Sequence, residues 1–110
     1  MIISITSIKL KSPLKFFILS YNGMQIMKQL KTTNCQANKT KGFWKMHYTM
    51  TLWENENQVM DFVKSDAHLA AMKISKTIAQ EIRTVSYNGD KLPDWKTGID
   101  QLKKGKVISY

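Results

Sequence analysis

The first 53 residues of this 110-residue chain contain no aspartate and no glutamate. Eight lysines stand there unopposed, whereas residues 54–110 hold nine basic and eight acidic residues. So one-sided a half-chain attracts polyanions or an acidic membrane surface. Arginine is nearly missing as well, Arg83 being the only one among 17 basic residues. Planar, bidentate recognition of phosphates and base edges favours arginine, so its scarcity points to a solvated lysine surface. A single cysteine, Cys35, excludes an internal disulfide and a thiolate metal cluster, and reads as a small, part-buried side chain. No apolar run reaches the length of a membrane span, because Lys9, Lys11 and Lys15 interrupt the N-terminal one, and no basic segment precedes it as in a signal peptide. Phosphate loops, metal-spaced His/Asp/Glu sets and Ser-His-Asp or Cys-His constellations are also missing from the sequence pattern. With 43% hydrophobic and 23% charged residues, the chain reads as one soluble, cytoplasmic domain over residues 1–110, large enough to bury a core.

What is present alternates between two periods. "IISITSIKL" is β-branched with period two and predicts a strand over 2–10. Ser12-Pro13 then matches a helix N-cap followed by proline at the first helical position. The helix continues through Leu14, Phe17, Ile18 and Tyr21 to Met24, Met27 and Leu30, with a kink or break expected at Asn22-Gly23. "WKMHYTMTLWE" is the clearest strand, after a polar stretch with room for a short edge strand and a hairpin turn. On it Tyr48, Met50 and Leu52 share a face apolar enough to meet helices. His47, Thr49, Thr51 and Trp53 share the other, mixed face, suited to a partner sheet or a wet cavity. Asn55 and Gln58 form a capping-box pattern, and Ser65-Asp66 offers a second N-cap at which the helix bends or restarts. "IRTVSY" alternates as a strand. Residues 90–110 add a helix bearing Trp95, Ile99 and Leu102 on one face, with Gly105 at its C-cap position, and then a short strand. The order is β-α-β-β-α-β followed by α-β, an α+β, ferredoxin-like arrangement of one antiparallel sheet with helices on one face.

RNA-recognition domains share that order, and "KGFWKMHYTM" partly follows their aromatic octapeptide. Lys41, Gly42, Phe43 and Tyr48 fit it, but Lys45 stands where an aromatic is needed and Trp44 where a small residue is. The first strand offers no aromatic at all, so the stacking platform is incomplete and nucleic acid is not an expected partner.

From residue 47 onward, "HYTMTLWENENQVMDFVKSDAHLAAMK" resembles the second half of the dimeric α/β-barrel proteins. These include antibiotic-biosynthesis monooxygenases, haem-degrading monooxygenases and spheroidene-monooxygenase-like proteins. The matching features are Thr49, Thr51 and Trp53 at a strand end, Phe62 within a helix, then Ser65, Asp66, His68, Ala71 and Met72. The resemblance implies a homodimer whose sheets pack face to face, with a pocket in each protomer between sheet and helices. Haem-degrading members carry a helical Trp, a His ligand and a first-strand Asn. Phe62 and Met72 occupy the first two positions here and the first strand has no Asn, so haem degradation is not supported.

His68 is the candidate catalytic residue: the only histidine on the helix expected to line the pocket, with Ser65 and Asp66 near enough in sequence to orient it. Tyr48, Phe62 and Met72 are candidate substrate-binding residues, and neither a metal nor another cofactor is expected. Two functions fit. One is a cofactor-independent monooxygenase acting on a flat, apolar small molecule, where the protein supplies orientation, a dry cavity and a base. The other is a non-catalytic dimeric barrel that binds an apolar ligand or stabilises an assembly. Binding of single-stranded RNA is expected to be weak or absent at ~0.15 M salt, as read by anisotropy; tight, salt-resistant binding would overturn this reading.

Overall fold

Strand β1 (Ile2–Leu10) lies at the centre of a five-stranded antiparallel sheet of order β2-β3-β1-β4-β5. This computed structural model describes every residue except 32, 34 and 110, and the side chains of all others except 43, 66 and 67. On one side β1 pairs with β3 (Met46–Trp53), placing Ile5 opposite Met50; on the other it pairs with β4 (Ala79–Asn88), placing Ile5 opposite Val85. Beyond β3 lies β2 (Ala37–Phe43), and beyond β4 lies β5 (Lys106–Ser109). The helices are α1 (Phe16–Leu30), α2 (Glu56–Val63), α3 (Asp66–Ile78) and α4 (Trp95–Leu102). The architecture is α+β and ferredoxin-like, extended at its C-terminal end by α4 and β5. Among the described residues no helix is long and apolar enough to cross a membrane.

The helices do not all share one face. Ile3, Ile5, Met50 and Leu52 form a core with Leu102 of α4, and Tyr48, Val85, Tyr87 and Trp95 pack against it. Trp53 instead meets Leu30 of α1 and Phe62 of α2, with Ile2, Ile26, Met27 and Val59 around them. Because side chains alternate along a strand, these clusters lie on opposite faces. The apolar face therefore carries α4, and the mixed face carries α1–α3. The expected one-sided arrangement is corrected by the extension, whose amphipathic helix needs an apolar surface and finds it opposite α1–α3.

Local chemistry explains the helix ends. Ser12 Oγ accepts the Leu14 amide at 3.3 Å and opens a 3-10 turn, Pro13–Lys15, that leads into α1. No break occurs at Asn22-Gly23. The Asn22 amide folds back to donate to the Ile18 carbonyl at 2.9 Å, and its side chain is buried within the helix packing. Asn55 Oδ1 accepts the Gln58 amide while Gln58 Oε1 accepts that of Glu54, a reciprocal cap on α2. The restart at Ser65 is real, separating α2 from α3. Asp94 Oδ1 accepts the Thr97 amide at 2.8 Å and caps α4.

Two glycines let backbones approach closely. A Cβ on Gly98 of α4 would meet the Met50 methyl, and one on Gly105 would lie 2.9 Å from the Thr84 carbonyl carbon. Gly105 does not have a positive φ, so the demand there is for space against β4 rather than for a left-handed cap. A methionine tip can move, whereas strand backbone cannot without breaking its ladder. Gly105→Ala is expected to destabilise the protein by about 1–3 kcal/mol, as other over-packing substitutions do, and to loosen β5 first. Urea unfolding with hydrogen exchange at Val107 and Ile108 would read both; unchanged stability would show that the chain accommodates the methyl elsewhere.

Candidate functional site

The face beneath α1–α3 is floored with hydroxyls. Pairing aligns Ser4 with Thr51 and Ser86, and Thr6 with Thr49 and Thr84, across the three central strands. Thr49 and Ser86 are exposed and the other four are half-buried, so the helices leave part of this floor uncovered. Thr51 links floor to wall: its hydroxyl accepts the Trp53 indole N–H at 2.8 Å. The Ser4 and Ser86 hydroxyls lie 3.4 Å apart.

An aromatic wall rises from one end of this floor. Trp53 meets Phe62 at 5.3 Å between ring centroids, and Phe62 meets His68 edge-on at 5.4 Å. Ser65 Oγ and His68 Nδ1, one turn apart at the start of α3, are both buried without a hydrogen-bond partner among the described residues. Ser65 holds the N-cap position of α3 but makes no side-chain cap bond. A buried polar atom left unpaired costs about 1–3 kcal/mol, so a donor or acceptor brought by a ligand would recover stabilisation at both atoms. Removal from water holds the His68 pKa below its ordinary value, which keeps the ring neutral near pH 7 and able to accept a proton.

The four sequence-derived site residues do not converge. Phe62 and His68 touch. Met72 follows His68 by one turn of α3 but is exposed, and Tyr48 lies on the opposite face, 6.2 Å from Trp95 of α4. The sheet itself separates Tyr48 from His68, a correction that follows from the strand parity of residues 48 and 53. Asp66, the other residue expected to orient His68, has its side chain outside those described. The hydroxyl floor and the buried Asn22 are the features the sequence reading missed. The alternation "SIT" against "YTMT" carried the signal for the floor, but only pairing brings the two strands into line. His47 is accounted for by packing: Phe16 stacks on it at 5.3 Å and its Nε2 lies 3.2 Å from the Trp44 carbonyl. Burial raises the Cys35 thiol pKa, and the Cys35 thiol donates to the Ala37 carbonyl at 3.2 Å. Among the described residues no three His, Cys, Asp or Glu side chains are placed to hold a metal ion.

The lowered pKa of His68 makes a prediction about stability. Between the folded value and the ordinary value of about 6.5, the unfolded chain binds a proton that the folded one does not. Stability contributed by the neutral ring is therefore present above that ordinary value and is lost as pH falls through the folded one. Urea midpoints from pH 7.5 to 5 should fall less for His68→Gln than for the unaltered chain. Equal slopes would mean that His68 is not desolvated.

No family model matches the sequence, and neither does any curated protein. Solved structures do match in fold. A conserved protein from Methanosarcina mazei Go1 superposes with a TM-score of 0.73 at 12% identity, covering 81% of this chain and 92% of that one. A protein from Shewanella oneidensis matches at TM-score 0.70 and 9% identity over 98% of this chain and 92% of its own. A structure named as an antibiotic biosynthesis monooxygenase matches at TM-score 0.71 and 10% identity over 83% of this chain and all of its own. The chain thus has the fold of the antibiotic biosynthesis monooxygenases, as the stretch from residue 47 to Met72 implied.

Proposed function

We propose that this chain binds a small apolar molecule between the sheet and α1–α3 and oxygenates it without a bound cofactor, with His68 as the base. The observation that carries this reading is the pair of buried atoms, Ser65 Oγ and His68 Nδ1, that have no partner among the described residues, with the His68 ring edge-on to Phe62. A neutral imidazole with a free nitrogen in apolar surroundings can take a proton from a weakly acidic C–H or O–H group. The resulting anion gives its electrons to molecular oxygen, and the substrate peroxide so formed loses water, leaving one oxygen atom on the substrate as a carbonyl. Phe62 offers a ring edge to a flat substrate, Met72 lies at the outer margin, and Tyr48 takes no part. Fold likeness to a structure named as a monooxygenase supports the reaction class.

The protein acts as a homodimer in this reading. In a face-to-face contact of two sheets, α4, which packs on Ile3, Ile5, Met50 and Leu52, would lie between the copies. What supports a dimer is β5, an edge strand of four exposed residues that include Val107 and Ile108. Such an edge presents unpaired backbone groups and apolar side chains to a second copy.

The same site could hold a ligand without chemistry, a reading favoured by the exposure of Met72. His68→Ala separates the two. For an oxygenase, turnover of a substrate found by native mass spectrometry and mild unfolding should fall by about a hundredfold or more, with affinity nearly kept. Unchanged turnover would remove His68 from the chemistry, and absence of turnover in the unaltered protein would leave the binding function alone.

A further inference from the structure

The β2–β3 hairpin turns at Trp44, the only non-glycine residue with positive φ, 55°, among those described. Glycine or asparagine ordinarily occupies such a position; for a bulky side chain the left-handed conformation is strained. The strained residue gains no burial in return, for Trp44 is 70% exposed. Its ring belongs to a larger apolar surface. Pro13, Phe16 and Phe17 share an open hollow of about 390 Å³ with Trp44. Along the same flank, Leu14 is 75% exposed, Phe17 73% and Tyr21 65%. These three recur at the spacing of one helix face and continue to Met24, also exposed.

The charged residues of the segment that carries this surface are all lysines. Lys9, Lys41 and Lys45 line a second open hollow on the α4 side of the sheet, with Tyr48 and Ile99, and it meets the first at the Trp44 turn. Lys11 and Lys15 flank Pro13-Leu14, and Lys28 follows Met24 by one turn. Among the described residues no acidic side chain lines either hollow, none occurs in the chain before Glu54, and Glu81, opposite Lys9, is held by Arg83.

We propose that the outer face of α1 and the Trp44 turn dock the protein peripherally on an anionic lipid surface. Tryptophan, phenylalanine and leucine tips enter the headgroup–acyl boundary while the surrounding lysines meet anionic headgroups. A second copy is a poor occupant of this face, because it would bring Lys15 and Lys28 against their own counterparts. A nucleic-acid strand would satisfy the charge but not the aliphatic Leu14 and Met24. The strain at Trp44 then has a return: the turn holds an aromatic outward where burial within the protein could not.

Vesicle co-sedimentation at ~0.1 M salt tests this, with phosphatidylcholine vesicles that contain or lack phosphatidylserine. Binding is expected only with the anionic lipid. It should weaken by about fivefold for each of Lys28→Gln and Lys45→Gln. Trp44→Gly is the discriminating variant. Glycine relieves the positive φ, so its melting temperature should hold or rise while vesicle binding falls. Phe17→Ser should lose binding as well. No binding to anionic vesicles, or binding untouched by Trp44→Gly and Phe17→Ser, overturns the proposal. So does a shift from oligomer to monomer caused by these two variants in light scattering without vesicle binding, or their loss of affinity for single-stranded RNA alone.

Discussion

Alternation along β1 sets both faces of the molecule at once. Ile3 and Ile5 point to one side and Ser4 and Thr6 to the other, and the flanking strands repeat the division: Met50 and Leu52 against Thr49 and Thr51, Val85 and Tyr87 against Thr84 and Ser86. The apolar side closes on α4 and buries Ile3, Ile5 and Met50 almost completely, a stabilisation of about 1.5–3 kcal/mol for each such side chain. Relieved of supplying that core, the other side can present hydroxyls beneath its helices. A one-residue slip of β1 would exchange the two roles, so register is strongly specified.

Much of this was legible in the residues themselves. Periodicity located the strands and helices, the Asn55–Gln58 pair located the start of α2, and Ser65 marked the restart of α3. The stretch from His47 to Met72 carried the fold resemblance. Asn22 could not be read correctly, because a side chain that bonds its own helix and one that ends it look alike in sequence. The placement of α4 was equally hidden. An amphipathic helix declares that it needs an apolar face but not which of two it will find, and that choice rests on the match between Gly98 and the Met50–Ile5 surface.

The candidate site was legible only in part for a related reason. His68 and Phe62 lie on neighbouring helical segments, so short-range spacing could bring them together. Tyr48 was separated from them by strand parity, which needs the pairing partner to be known before it says anything about a pocket. The unpartnered state of Ser65 Oγ is a matter of side-chain geometry, since its position alone suggested an ordinary cap.

The central place of β1 also bears on how the chain is made. β1 needs both neighbours, yet its register partners, Met50 in β3 and Val85 in β4, come much later in the chain. Neither neighbouring strand can be recruited by a short local turn. The lysine-rich first half, with its apolar α1, must therefore wait with exposed hydrophobic residues until β4 has been synthesised. High contact order of this kind slows folding, and uniform positive charge is what keeps such waiting chains apart.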